Sequence, residues 1–153
     1  MNNYTKAGTF QFKENWKIET VEKATGKILS TYEYCNLIVN AGLTRVALLL
    51  NGNSSTYFRA LAVGTNASGP TNSDSALGAE VTRSAATLTN GTYTAVFTHA
   101  FTFGGDYAIT EAGIFDSATV SGSSMLARTV FAAINVSTTV SLIVTTTITV
   151  ARV

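Results

Sequence analysis

The spacing of apolar and polar positions changes along this chain, and the changes divide it into elements. From Tyr93 to Phe103 it alternates. Tyr93, Ala95, Phe97, His99, Phe101 and Phe103 share one face, and Thr94, Val96, Thr98, Ala100 and Thr102 the other. A period of two sends successive side chains to opposite sides of a strand, so this segment predicts a strand with an aromatic face turned to a core. Val140 to Val153 also alternates, setting Thr145, Thr147 and Thr149 against Val144, Thr146, Ile148 and Val150. The period lengthens once, where Leu43, Val46, Ala47 and Leu50 recur at i, i+3, i+4 and i+7. With Asn40 as an N-cap and Asn51-Gly52-Asn53 as a stop, a short helix is predicted over 41–50.

The remaining segments read as strands between turns. Trp16, Ile18 and Val21 precede Ala24-Thr25-Gly26-Lys27, and Ile28, Tyr32, Tyr34 and Leu37 follow it, the pattern of a hairpin. Further strands are expected at 57–63, 83–88, 107–115 and 125–131. A loop is expected at Gly64–Pro70, a helical turn around Ala76, Leu77 and Glu80, and a hairpin turn at Asn90-Gly91. Many short strands with one helix and one proline predict an all-β fold, a single-domain β-sandwich or jelly-roll-like domain. Residues 1–14 would form an N-terminal arm and 15–153 the domain, comprising a hairpin (15–39) and a body (40–153).

Composition changes this picture in one respect. Only 12% of the 153 residues are charged, and the net charge is +1. Lys and Arg do not cluster, which removes the electrostatic basis for binding nucleic acid. The apolar runs are too short to cross a membrane as a helix. A weakly charged surface associates readily, which favours life in an assembly. Cys35 is the single cysteine, so no intrachain disulfide can form, and it is expected to behave as a small buried hydrophobe. The first residues lack a basic region followed by an apolar core, so cytoplasmic synthesis is expected.

Catalytic parts are scarce. His99 is the only histidine and falls on the aromatic face of a strand, no Gly-x-Ser-x-Gly elbow occurs, and a metal site lacks ligands. Gly64–Gly69 lacks the Lys-Ser/Thr of a phosphate loop. Glu80, Glu111 and Asp116 could be imagined as an acid/base pair acting on a glycan. The alternative is that Glu80 and Glu111 pair with Arg83, Arg128 or Arg59 inside the fold. No catalytic residue, cofactor or metal is expected. The Asn-x-Ser/Thr sequons at Asn53, Asn66, Asn90 and Asn135 arise easily in so Thr-rich a chain.

One ordered set of motifs is not explained by composition. It runs from Asn40-Ala41-Gly42-Leu43 through Ala60-Leu61-Ala62-Val63-Gly64-Thr65, Pro70, Ser75-Ala76-Leu77, Glu80 and Arg83. It continues with Tyr93–Phe97, then Glu111-Ala112-Gly113-Ile114-Phe115-Asp116, and ends on Gly122 and Met125-Leu126-Ala127-Arg128. This order resembles the N-terminal, virion-attaching region of tail-fibre proteins from tailed bacteriophages and related standalone virion proteins, over residues 40–131. The chain departs from the fibre pattern in lacking a shaft and in carrying about forty residues ahead of the match. The resemblance therefore implies a structural protein of the virion, assembled in the host cytoplasm. A capsid decoration (cement) protein on the head surface is expected first, and a tail, baseplate or collar adaptor for a fibre second.

Its partners would be the major capsid protein or tail and fibre proteins, with a trimer or another symmetric oligomer to match repeated virion sites. Tyr4, Phe10, Phe12 and Trp16 are the expected contacts, aromatics being favoured anchors at interfaces. The alternative for Trp16 is that it fills its own domain's core. A carbohydrate-binding module, using Tyr57, Tyr93 or Tyr107 to stack on sugar rings, is the reading from another class.

Overall fold

The computed structural model describes residues 9–152; Tyr4 lies outside them. β1 (Phe10–Glu22) and β2 (Ile28–Tyr34) form the first hairpin, turning at Gly26 with φ +73°. The two-residue β3 (Leu37–Ile38) leads into α1 (Asn40–Leu50), which is followed by β4 (Ala60–Gly64), β5 (Glu80–Ala85) and β6 (Thr87–Asn90). β7 (Thr94–Phe101), β8 (Tyr107–Phe115), β9 (Met125–Val136) and β10 (Val140–Arg152) complete the chain. All pairings are antiparallel, in two five-stranded sheets ordered β2-β1-β10-β7-β6 and β3-β9-β8-β4-β5. The expected β-sandwich with one short helix is the fold.

Between the sheets lies a core of inward-facing side chains. Trp16, Ile18, Phe97, Phe101, Leu142 and Val144 come from one sheet; Leu61, Val63, Ile109, Ile114 and Phe131 come from the other. Each large apolar side chain removed from water contributes about 1.5–3 kcal/mol, and this layer supplies most of the force holding the sheets together. A second, smaller cluster of Val39, Ala60, Ala62, Leu77, Phe115 and Met125 uses the opposite face of β4 and β8. Sheet β3-β9-β8-β4-β5 is therefore buried on both sides there, which explains why all five residues of β4 are buried.

Several expectations need correction. β1 begins at Phe10 and pairs with β10 from its first residue, Phe10 opposite Arg152, so residues 10–14 belong to the sheet and not to a free arm. Asn40 is the first residue of α1; Val39 holds the N-cap position in extended backbone without a side-chain cap. The stretch expected as one strand at 83–88 changes sheet at Ala86, β5 pairing with β4 and β6 with β7. The β6–β7 connection closes through the Gly91 N–H donating to Thr94 O (3.1 Å), so its tip is Thr92-Tyr93 and not Asn90-Gly91. On the aromatic face of β7 and the following turn, Phe97, Phe101 and Phe103 reach the core, while Tyr93 is exposed at that tip. Cys35 is also exposed, because it sits on the corner where the chain leaves one sheet for the other.

Among the described residues no helix is long and apolar enough to cross a membrane. α1 lies instead against β9, and Gly42 is the point of closest approach. A Cβ there would stand 2.7 Å from Leu126 Cα and nearer still to the Leu126 carbonyl oxygen. A helical Gly→Ala change ordinarily gains about 1 kcal/mol. Here the overlap dominates, and Gly42→Ala is expected to destabilise the fold by roughly 1–3 kcal/mol, read as a lower urea midpoint at unchanged m-value.

Candidate functional site

Two places concentrate the residues singled out by the sequence, and they differ in kind. The first is a set of ion pairs that ties the long loops to the outer side of β4, β8 and β9. Glu111, on β8, is 0% exposed. Its Oε1 accepts from the backbone N–H groups of Ala79 (2.8 Å) and Asn66 (3.2 Å), and Oε2 from that of Gly78 (3.0 Å). The Arg128 guanidinium, arriving from β9, donates to Oε2 through Nε (2.9 Å) and Nη2 (2.9 Å). Arg128 also reaches Asp74 Oδ2 (2.8 Å) and the Ser68 carbonyl (3.1 Å). The Asp74 carboxyl, pushed up by desolvation, is pulled further down by Thr71 and by Arg128, and ends below its ordinary pKa.

Around this hub the motif residues fit as parts. Gly64 has no room for a side chain, since a Cβ would meet Ala79 O and Glu111 Oε1 at 2.5 Å. Leu77 drops from the loop into the smaller apolar cluster, and Gly113 leaves the space for it, a Cβ there standing 3.0 Å from both Leu77 Cδ2 and Phe115 Cε2. The expected helical turn around Ala76, Leu77 and Glu80 is absent: Ala76 to Ala79 is an irregular, bent segment whose Gly78 and Ala79 N–H groups are taken by Glu111, and Glu80 opens β5. In a regular strand residues 80 and 83 would point to opposite faces. An irregularity in the β4–β5 register, between Val63 and Gly64, restores them to one side. Arg83 then pairs with Glu80 through Nε (3.0 Å) and Nη2 (2.7 Å), with its guanidinium 3.5 Å from the Phe115 ring centroid. Asp116 pairs with Arg45 (2.8 Å) and accepts from the Ser124 N–H (2.7 Å). All three carboxylates considered for acid/base work are thus held by arginines.

The second place is an open end of the sandwich. The start of β1, the end of α1, the approach to β4 and the β6–β7 tip surround a cleft of about 810 Å³, whose floor reaches core residues such as Phe58 and Phe97. Phe10 and Phe12 stand on its wall, together with Leu50, Tyr57, Tyr93 and Val150. Leu50 is 77% exposed and Tyr93 71%. A shallower groove continues beside β1, where Leu43, Val46, Ala47 and Leu50 face Phe10, Phe12 and Ile38. The helical face expected to enter the core thus lines an open surface, and Leu43 is 50% exposed. Val46 and Leu49 pack partly against the main core, and Ala41 against the smaller cluster.

Of the expected contacts, Phe10 and Phe12 belong to this surface. Trp16 does not: it is 0% exposed between the sheets, so its role is core packing. The sequence reading missed Glu14, which also lines the cleft. Its Oε2 accepts from Asn36 Nδ2, and its Oε1 is buried without a partner. Desolvation raises its pKa to about 7, against smaller lowering effects of Asn36 and the Trp16 indole N–H. Period alone points to it, since Glu14 falls in line with Phe10, Phe12, Trp16 and Ile18 on the inward face. His99 is partly buried, its ring edge-on to Phe101 at 4.6 Å. Among the described residues, no group of three His, Cys, Asp or Glu is placed to hold a metal ion.

Comparison with known proteins found no matching family model, no matching curated protein and no matching solved structure.

The two places make separate expectations. Glu111→Gln leaves Arg128 buried with half its counter-charge removed, and is expected to cost about 3–5 kcal/mol in chemical denaturation. Glu14 binds its proton more tightly folded than unfolded, so stability is fullest below pH 4.5 and falls as pH rises towards 7, by up to roughly 3 kcal/mol. Glu14→Gln should flatten that slope and raise the melting temperature at pH 8; a slope unchanged by the substitution would assign the pH dependence elsewhere.

Proposed function

We propose that this chain is a structural protein of a tailed-bacteriophage virion that works by adhesion, in the first place as a decoration (cement) protein on the capsid head. The observation that carries the reading is the division of labour between the two places. The charged and glycine residues of the fibre-like motif series, from Gly64 through Glu80, Arg83, Glu111 and Gly113 to Arg128, are spent on clamping loops to a sheet, while its Leu43 and Tyr93 lie at the open end. The cleft at the open end, by contrast, is apolar, aromatic-rimmed and open. Contiguous exposed apolar surface of this kind marks an interaction site. Seated across neighbouring capsid subunits, such a surface would add desolvation energy at every copy, and repeated weak contacts would stiffen the shell.

The motif order itself favours a second reading, an adaptor on the tail, baseplate or collar that receives a fibre. It uses the same adhesion chemistry and differs in location. The glycan reading has Tyr57 and Tyr93 on the rim of the same cleft. Sugar hydroxyls, however, need several convergent donors and acceptors, and this lining is overwhelmingly hydrocarbon. A protein surface fits it better.

Mass spectrometry of purified particles, scaled to the major capsid protein, tests the location. On the order of hundreds of copies mark decoration, and about a dozen or fewer mark an adaptor. Absence from particles overturns both. The double variant Leu50→Asp/Tyr93→Ser is expected to lose most particle occupancy while its own stability shifts by only about 0.5 kcal/mol, because both side chains are exposed.

A further inference from the structure

The wall of the groove is also an unfinished sheet edge. β10 pairs with β1 along its whole length, but β2 covers the other edge only from Trp16 to Val21. Among the described residues, no strand covers the stretch from Phe10 to Asn15. The direction of its main-chain groups follows from the neighbouring bonds. The Lys23 N–H donates to Thr139 O on the β10 side, whereas the Glu22 N–H donates to Lys27 O on the β2 side. Val150, opposite Phe12, turns its N–H away from β1 to Tyr93 O. The β1–β10 register is unbroken, so even-numbered residues of β1 present N–H and C=O to the β2 side throughout. At the free end these are Phe10, Phe12 and Glu14, without a main-chain partner on that side among the described residues and bordering an apolar groove.

We propose that this edge pairs with the same edge of a second copy, forming a two-fold dimer in which the β2-β1-β10-β7-β6 sheets of both subunits become continuous. The pairing rests on the adhesive reading above only in taking the apolar groove to be a contact surface. Facing residues must share a sheet face, which leaves three registers within this short edge. Centring on Lys13 would set two lysines directly opposite, and centring on Phe12 would set Phe10 against the Glu14 carboxyl. Like charges opposed across a pair are destabilising, as is an apolar ring placed on a carboxylate. Centring on Gln11 avoids both. Phe10 then faces the partner's Phe12, Phe12 the partner's Phe10, and Lys13 the partner's Thr9. The two incoming rings of each copy share the inward face with Trp16 and Ile18, and so enter the groove of the other copy, over Leu43, Val46 and Leu50. An otherwise uncovered helix face gains its cover, and the interface is isologous as a closed dimer requires.

Gln11 bonds to β10, so across the two-fold it forms a non-hydrogen-bonded pair, with Cα atoms about 4.5 Å apart. That lies within disulfide reach, while Lys13 and its symmetry mate would be roughly 13 Å apart, four residues out of step. In a Cys35→Ser background, mild oxidation of the full chain is expected to cross-link Gln11→Cys nearly completely and Lys13→Cys hardly at all. Sedimentation should give a dimer for the wild type and a monomer for Leu43→Lys, with unchanged circular dichroism. A monomeric wild type at every concentration, or equal cross-linking at both positions, overturns the proposal. A monomer still bound stoichiometrically to particles would overturn the dimer alone and leave the adhesive reading standing.

Discussion

The fold depends on how one fully buried carboxylate is satisfied. Glu111 cannot remain ionised in the interior without donors, because the desolvation cost amounts to several kcal/mol. It finds an arginine on the adjacent strand and three backbone N–H groups on the loop between β4 and β5. Those donors are fixed only when the two ends of this loop, at Asn66 and at Gly78–Ala79, meet over Glu111, so the need of one side chain dictates the path of an otherwise irregular segment. Gly64 and Gly113 follow from the same arrangement. Each is small because the clamped loop, through Ala79 and Leu77, comes down on top of it.

Clamping one face has a consequence at the end. With the outer side of β4 and β8 closed by the loop, α1 is docked through its N-terminal turn, where Gly42 meets β9, and through the Arg45–Asp116 pair. Rotation of the helix is thereby set by backbone contact and charge, not by its apolar stripe. The stripe of Leu43, Val46, Ala47 and Leu50 points along the groove beside β1, and of its four members Val46 alone also packs against the main core. A stripe of this kind ordinarily indicates the buried side of a helix, and here it indicates a surface awaiting cover.

These facts explain what could be read from the sequence and what could not. Strand period was decisive where one face is buried: the course of β10 from Val140 and the inward aromatics of β7 follow from alternation, whereas β8, buried on both faces, was legible from the turn and loop that bound it. Local propensity failed where a long-range contact overrides it. Residues 74–81 have the composition of a helical turn, but the bonds from Gly78 and Ala79 N–H to Glu111 spend the backbone donors elsewhere and leave the segment irregular up to Glu80. Asn90-Gly91 is a turn dipeptide, yet the β6–β7 register, Asn90 opposite Ala95, moves the turn onward. The Glu80–Arg83 pair was legible as a pair, though its cause is an irregular strand register and not a helix. Glu14 was illegible for a different reason. A carboxylate in a strand reads as solvated unless the neighbour that buries it is known.

The satisfaction of the buried carboxylates then distinguishes scaffold from working surface. Around Glu111 every carboxylate oxygen has a donor, and the geometry is closed; a further ligand would have to displace bonds already made. At the opposite extreme, Glu14 Oε1 lies buried without a partner in the wall of the open cleft. Unmatched polar atoms cost about 1–3 kcal/mol each, and exposed aromatics on the same rim add unfavourable hydration. A free monomer carries both penalties in one region, so any contact that excludes water there relieves the apolar part, and protonated Glu14 can relieve the polar part by donating its own O–H. The open end is thus the place where association has most to gain, which is why adhesion is assigned to it and not to the motif-rich face.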